Sequence, residues 1–286
     1  MDYQIDLIAQ GLIDGSIYAL IAVGMTMVFG LLRVLHVAHA GVYTFGAFVA
    51  VIVYNAFGSF ALALVCAGLA CGALGVLIYF AFYQRLLDRS PEVVLIASIG
   101  LFIAMQEAYR ILFGANGVSY TPAPLRQTLA LGPVHLSAGE LMMLVFTVAV
   151  FLLLGVLARQ TRFGVAVRAT VTDPQMARSS GVSVTQVRVF VFFLGSVLAG
   201  IAGTFSGVLN NFVEPTMGAV PLFKAMAIII IGGFGDVRGT LVAALFIGLV
   251  EAYGTVYLTH ILDRDAIAFA AMLAILLARP RGLFEG

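Results

Sequence analysis

The sequence predicts an all-α fold: a polytopic bundle of about eight or nine membrane-spanning helices with one short helix on the cytoplasmic side. Three observations predict it. Of the 286 residues, 62% are hydrophobic and only 10% charged, with a mean hydropathy of +1.09, values that exclude an ordinary soluble domain. The apolar residues come in long runs without period-two alternation, which argues against strands and against a membrane barrel. Five arginines (Arg159, Arg162, Arg168, Arg178 and Arg188) are gathered in one stretch, which cannot lie in hydrocarbon.

A bilayer crossing needs roughly 20 apolar residues. The apolar segments run over 8–31, 37–57, 60–83, 92–113, 138–158, 187–209, 221–233, 239–259 and 265–279. The seventh and ninth are short for a full crossing and are expected to be tilted, broken or re-entrant. Met1 to Asp6 lack the basic stretch that opens a signal peptide, so the first span is expected to be retained. Cys66 and Cys71 sit five residues apart on one apolar helix and so on different faces, which fits packing better than a disulfide. Small residues four apart recur at Gly11/Gly15, Gly68/Gly72, Ser196/Gly200 and Gly203/Gly207, where helix backbones can approach closely. The segment 114–137, with Pro122, Pro124, Pro133, Gly114, Gly117 and Gly132, reads as a turn-rich connection rather than a domain. The whole chain, 1–286, therefore reads as one membrane domain.

Basic residues set the direction. With the C-terminus in the cytoplasm, the inner side collects Arg33, Arg85, Arg89, the five clustered arginines, Arg238, Arg279 and Arg281. The outer side keeps Arg110, Arg126, Lys224 and Arg264. That 11 to 4 division of the 15 basic residues places the N-terminus outside and the C-terminus inside.

Within the basic stretch lies a self-contained helix signal. Asp173 stands as N-cap, Pro174 at the first helical position, Gln175, Met176, Ala177, Arg178, Ser179 and Ser180 as the turns, and Gly181 as terminator. Proline lacks the amide that would go unsatisfied at a helix start, and glycine accepts the left-handed conformation that ends one. A capped, basic helix between two apolar spans reads as a docking element, with Ala177 expected at the point of contact.

Several chemistries are absent. The only lysine, Lys224, follows Phe223 in an apolar run, so no phosphate-binding loop with its Lys-Ser/Thr can form. His36, His39, His135 and His260 are scattered. His36 and His39, three apart, have no nearby Cys, Asp or Glu to complete a metal site, so hydrogen bonding is favoured over ligation. Gly233-Phe234-Gly235-Asp236 imitates an intramembrane aspartyl protease, but a second carboxylate in the required Tyr-Asp context is missing. Ser206-Gly207 lacks the preceding glycine of a rhomboid-type serine, since Thr204 stands there.

A set of segments in fixed order is similar to the permeases of branched-chain amino acid ABC transporters. They are Gly15 to Ala22, Phe29 to Val34, Ala38-His39, Gly46-Ala47, Arg168-Ala169 and Asp173-Pro174 with Ala177-Arg178 and Gly181-Val182. Beyond these follow Leu198 to Gly203, Phe223-Lys224-Ala225, Gly232 to Gly235 with Gly239, Gly248 to Glu251, and Arg279 to Phe284. The resemblance runs nearly end to end. It implies the membrane-spanning half of an ATP-driven importer for branched-chain or other hydrophobic amino acids, working by alternating access without chemistry of its own. It also implies partners: a second, homologous permease, two cytoplasmic ATP-binding subunits that hold ATP and Mg, and an external binding protein. This chain would then need no cofactor and no nucleic acid, and would reside as a multi-pass protein in a bacterial inner membrane. In the family the helix corresponding to Asp173–Gly181 is the coupling element inserted into the ATPase. One departure is the run from His36 to Gly41, where the family has His-Gly after a short Asn-containing turn. Amides, urea and aromatic acids are alternative substrates of related permeases. A stand-alone secondary transporter or channel is the alternative from another class; it would need coupling-ion sites and often repeat symmetry about broken helices, whereas the long capped inner loop argues for a motor.

Ionisable residues at membrane depth are functional candidates by default. Glu107 and Arg110 can pair on one helix face. Asp14, two turns into the first span, either lines the translocation path or reaches interfacial water. Glu251 is the deepest, about 18 Å from the inner end of its helix at 1.5 Å per residue. Its sequence neighbourhood holds no base, and it is read either as an interhelical hydrogen-bonding group or as part of the path.

Overall fold

A computed structural model of the chain describes residues 2–131, 134–258 and 263–278. Gly132, Pro133, His260, Arg279, Arg281 and the rest of the tail to Gly286 lie outside the described residues. The chain is a helical membrane bundle. Its helices in order are α1 (Asp2–Leu32), α2 (His39–Phe57), α3 (Phe60–Leu86), α4 (Pro91–Phe113), α5 (Ala138–Gln160), α6 (Arg162–Thr172), α7 (Pro174–Ser179), α8 (Val184–Asn210), α9 (Ala219–Gly232), α10 (Val237–Tyr257) and α11 (Arg264–Ala278). One turn of α3, Tyr79–Tyr83, is wound as a π-helix.

Among the described residues, seven helices are long and apolar enough to cross a membrane: α1 to α5, α8 and α10. Helices α9 and α11 have 14 and 15 residues, about 21 and 22 Å at 1.5 Å per residue. Both fall short of the roughly 30 Å hydrocarbon core. These are the two segments whose shortness the sequence already displayed, so the expected eight or nine spans resolve into seven long helices and two short ones.

Small residues set the packing. Helix α1 lies against α10 with Gly11 opposite Leu249 and Gly15 opposite Leu245, so the two run antiparallel. A Cβ on Gly11 would stand 2.8 Å from the Leu249 Cα, and one on Gly15 equally close to the Leu245 Cα. Helix α8 is the central post. Its Gly195 meets Gly24 of α1, its Gly200 meets Gly46 of α2, and its Gly203 meets the Tyr43 backbone, all too close for a side chain. Cys71 is free and buried at Gly200, a packing role, and Cys66 is free as well.

Two features were not expected from the sequence. The connection 114–137 contains a hairpin of β1 (Thr128–Leu131) and β2 (Val134–Ser137). The same connection also supports the irregular stretch before α9. Val118 and Val213 exchange backbone hydrogen bonds of 2.8 and 2.9 Å, which satisfies backbone groups of two stretches that lie outside any helix. Helix α6 is the other addition. Its arginines break the apolar pattern by which helices were located.

Candidate functional site

The basic connection between α5 and α8 is a corner followed by two short helices. Thr161 caps α6 by accepting from the Gly164 amide at 3.2 Å, and Arg168 donates back to the Ala158 carbonyl. Phe163 of α6 packs at a tilt against Phe190 of α8 with ring centroids 4.3 Å apart, so the corner rests on the central post. The Asp173 amide closes α6 onto Ala169 at 3.0 Å. Its side chain then opens α7, with Oδ1 accepting from the Gln175 and Met176 amides at 2.8 and 3.0 Å. Such a cap contributes about 1 kcal/mol.

The far end of α7 is closed as the sequence anticipated. Gly181 has a φ of +83°. The Gly181 amide donates to the Arg178 carbonyl at 3.0 Å and the Val182 amide to that of Ala177 at 2.9 Å. This paired arrangement satisfies the carbonyls that a helix end leaves free. Pro174 stands at the first turn and Ser180 at the C-cap. Arg159, Arg162, Arg168 and Arg178 are exposed.

One expectation is corrected here. Ala177 is 4% exposed, its methyl turned into the chain itself, so it does not present the contact face. Met176, 65% exposed, is the apolar side chain that α7 turns outward, between Gln175 and the exposed Arg178 and Ser179. On a helix of under two turns one residue inward forces its neighbours outward, and sequence alone did not say which.

A second polar constellation lies about midway along α1, where four helices meet. Lys224 Nζ of α9 is 2.7 Å from Glu251 Oε1 of α10 and 2.7 Å from Asp265 Oδ1 of α11. Arg264 of α11 donates from Nε to Glu251 Oε1 and from Nη2 to Asp14 Oδ2, both at 2.6 Å. Tyr18 of α1 donates to Glu251 Oε2 at 2.8 Å and accepts from Lys224 at 3.0 Å, with the ammonium also 5.0 Å from its ring centre. Helical side chains lean towards their own N-terminus. In the antiparallel α1–α10 pair, Tyr18 and Glu251 therefore reach towards each other.

Glu251 thus has interhelical partners, as one of its two readings required, and Asp14 is paired rather than free. The bases come from α9 and α11, which the sequence neighbourhood of Glu251 does not include. Lys224 and Tyr18 were not singled out as site residues. The signal was there for Lys224, since the only lysine of the chain lies inside an apolar run.

Two further expectations concern surface and boundary groups. Glu107 and Arg110 pair at 3.3 Å on an exposed face of α4, a contact contributing little at a surface. His36 Nδ1 is 2.6 Å from the Tyr83 hydroxyl, which donates to Ser98 at 2.7 Å, and Ser98 also accepts from the Ala38 amide at 3.1 Å. His39 lies buried where Gly24 and Gly195 approach. Among the described residues no three His, Cys, Asp or Glu side chains are grouped to hold a metal.

Comparison with known proteins places this geometry in a family. The model of the family described as "Branched-chain amino acid transport system / permease component" matches residues 7–277. The high-affinity branched-chain amino acid transport system permease protein LivH of Salmonella typhimurium is 27% identical, over 98% of this chain and 95% of its own length. The corresponding BraD protein of Pseudomonas aeruginosa is 28% identical, over 96% and 94%. LivM of Salmonella typhimurium, a second permease protein, is 26% identical over 84% of this chain and 63% of its own. In fold, the chain is similar to one from the structure of PsaBC of Streptococcus pneumoniae in complex with Fab, with a TM-score of 0.51 at 12% identity over 94% and 89%.

Proposed function

Because the chain belongs to the branched-chain amino acid transport permease family, a family of multi-pass membrane transport subunits, we propose that it forms half of the translocation path of an ATP-driven importer for branched-chain or other hydrophobic amino acids. The observation that carries the coupling part of this reading is α7. It is a doubly capped helix, with an exposed methionine and arginine, suspended between two membrane spans. Such an element has the rigidity to pass a push from a soluble motor into α8, on which its corner rests. The residues Asp173 to Gly181 form the coupling helix and its caps. Met176 is its outward contact.

In this reading the chain sits in the inner membrane of a bacterium, with its N-terminus outside and α7 in the cytoplasm, as the distribution of arginines favours. Two cytoplasmic subunits bind ATP and Mg and hydrolyse the nucleotide; this chain has no cofactor and no catalytic site of its own. An external binding protein delivers the solute. A second, related permease completes the path; LivH and LivM of Salmonella typhimurium, both similar to this chain, support a heteromeric pair. The outward faces of α4 and α5, the two least buried long helices, are free for lipid or for that partner.

The test is reconstitution of the chain with the ATPase, permease and binding protein that co-purify with it. ATP-dependent uptake of leucine is expected, with an excess of isoleucine or valine competing and urea not. Uptake of urea or an amide in place of leucine would refute the substrate, and uptake without ATP would refute the motor. Reporter cysteines at Ser179 and Ser119 test direction: only the one at Ser119 should react with an impermeant reagent in intact cells.

A further inference from the structure

The charges at the four-helix junction are arranged in two layers. Underneath lie Lys224 and Glu251, with side chains 3% and 0% exposed. Over them lie Arg264 and Asp265, consecutive residues at the start of α11 whose side chains are 45% and 40% exposed. Asp265 offers its carboxylate to the Lys224 ammonium at 2.7 Å, and Arg264 offers its guanidinium to the Glu251 carboxylate at 2.6 Å. One compact unit of the chain therefore presents an anion to the buried cation and a cation to the buried anion. A zwitterionic amino acid presents the same two charges from a single carbon.

We propose that Lys224 and Glu251 form a binding site for the carboxylate and ammonium of a zwitterionic amino acid, and that Arg264 and Asp265 occupy it in this conformation as an internal stand-in. The inference rests on the amino-acid reading above and names the chemistry by which the path holds its cargo. Stability alone does not account for the pair, because a buried ion pair is often matched or bettered by apolar residues of similar size. Ionisable groups kept inside a membrane bundle mark solute pathways. Exchange of Arg264 and Asp265 for a zwitterion replaces one electrically neutral unit by another over the Lys224–Glu251 pair, whose members stay 2.7 Å apart, and releases the 14% exposed Asp14 from Arg264. Tyr18 stays with Glu251 throughout and holds its second oxygen in place. The exposed members of the cluster belong to α11, so they can withdraw without parting α1 from α10.

The experiment uses the complete transporter in lipid nanodiscs, without binding protein, and measures equilibrium binding of tritiated leucine. Removing both mimicking charges (Arg264→Gln with Asp265→Asn) should raise saturable binding by about tenfold, because the competing occupant no longer holds the site. Unlabelled leucine should displace the label. Leucinamide, which lacks the carboxylate, and isocaproate, which lacks the ammonium, should not. No gain in binding, or displacement by either analogue as effective as by leucine, overturns the proposal. If the double variant does not assemble, Asp265→Asn alone serves, since its side chain is partly exposed; about a threefold gain is expected, and unchanged binding overturns the idea. ATP-driven leucine uptake by the unaltered system is measured alongside. Its absence would refute the amino-acid reading itself, whereas uptake with no gain in the variants refutes only the stand-in.

Discussion

Helix α7 and the four-helix charge cluster are both polar insertions in an apolar chain, and they are held by opposite means. Every capping bond of α7 is made between residues 173 and 182. The cluster joins Tyr18 to Glu251 across 233 positions and Arg264 to Asp14 across 250. The first is stabilised by local backbone geometry and stands exposed. The second exists only once α1, α9, α10 and α11 have packed, and its charges survive burial only because each finds an opposite. The difference teaches which polar residues of a membrane protein can be understood alone and which need the fold.

Breaking the cluster should have the larger effect. Glu251→Leu leaves Lys224 without its buried partner, deprives Tyr18 of its acceptor and leaves Arg264 with Asp14 alone, a loss of about 3–5 kcal/mol that a lowered melting temperature of the purified chain would register. Removing both members (Lys224→Met with Glu251→Leu) should cost less than the two single losses summed, as expected for residues in contact. Losses that simply add would mean that the pair does not act as a pair.

Ala177→Asp comes next. It forces a carboxylate into the inward side of α7, at a cost of a few kcal/mol, but the damage should stay in the connection. Hydrogen exchange should accelerate over 173–182 and remain slow in α1 and α10. Global unfolding would instead make α7 part of the core and erase the contrast. Smaller still, Asp173→Ala removes one cap and should loosen the same amides by about 1 kcal/mol. Arg178→Ala, on the exposed side, should change stability by less than about 0.5 kcal/mol while weakening association with the ATPase.

The contrast also explains what was legible in the sequence. Spans such as His39–Phe57 and Val237–Tyr257 could be located to within two residues because length and hydropathy alone define them. The ends of α7 were legible because Asp-Pro and Gly act on their nearest neighbours. Helix α6 was missed because its arginines interrupt the apolar pattern, although Thr161 caps it much as Asp173 caps α7. The inward turn of Ala177 was missed because a helix of six residues has no periodicity to read. Lys224 was passed over because its partners come from other helices, and the deep position of Glu251 alone could not name them. The hairpin and the Val118–Val213 bridge belong to the same class: long-range pairings that no short window contains.

Cross-linking from α7 tests the central claim most directly. With Cys66 and Cys71 replaced by alanine and a single cysteine placed at Met176, a short thiol–amine cross-linker added to inside-out membrane vesicles should join this chain to the ATP-binding subunit. The yield should change when ATP is trapped. An adduct with that subunit is the result expected of a coupling helix; no adduct in a transport-competent complex, or modification of that cysteine by impermeant reagent from outside intact cells, would contradict it.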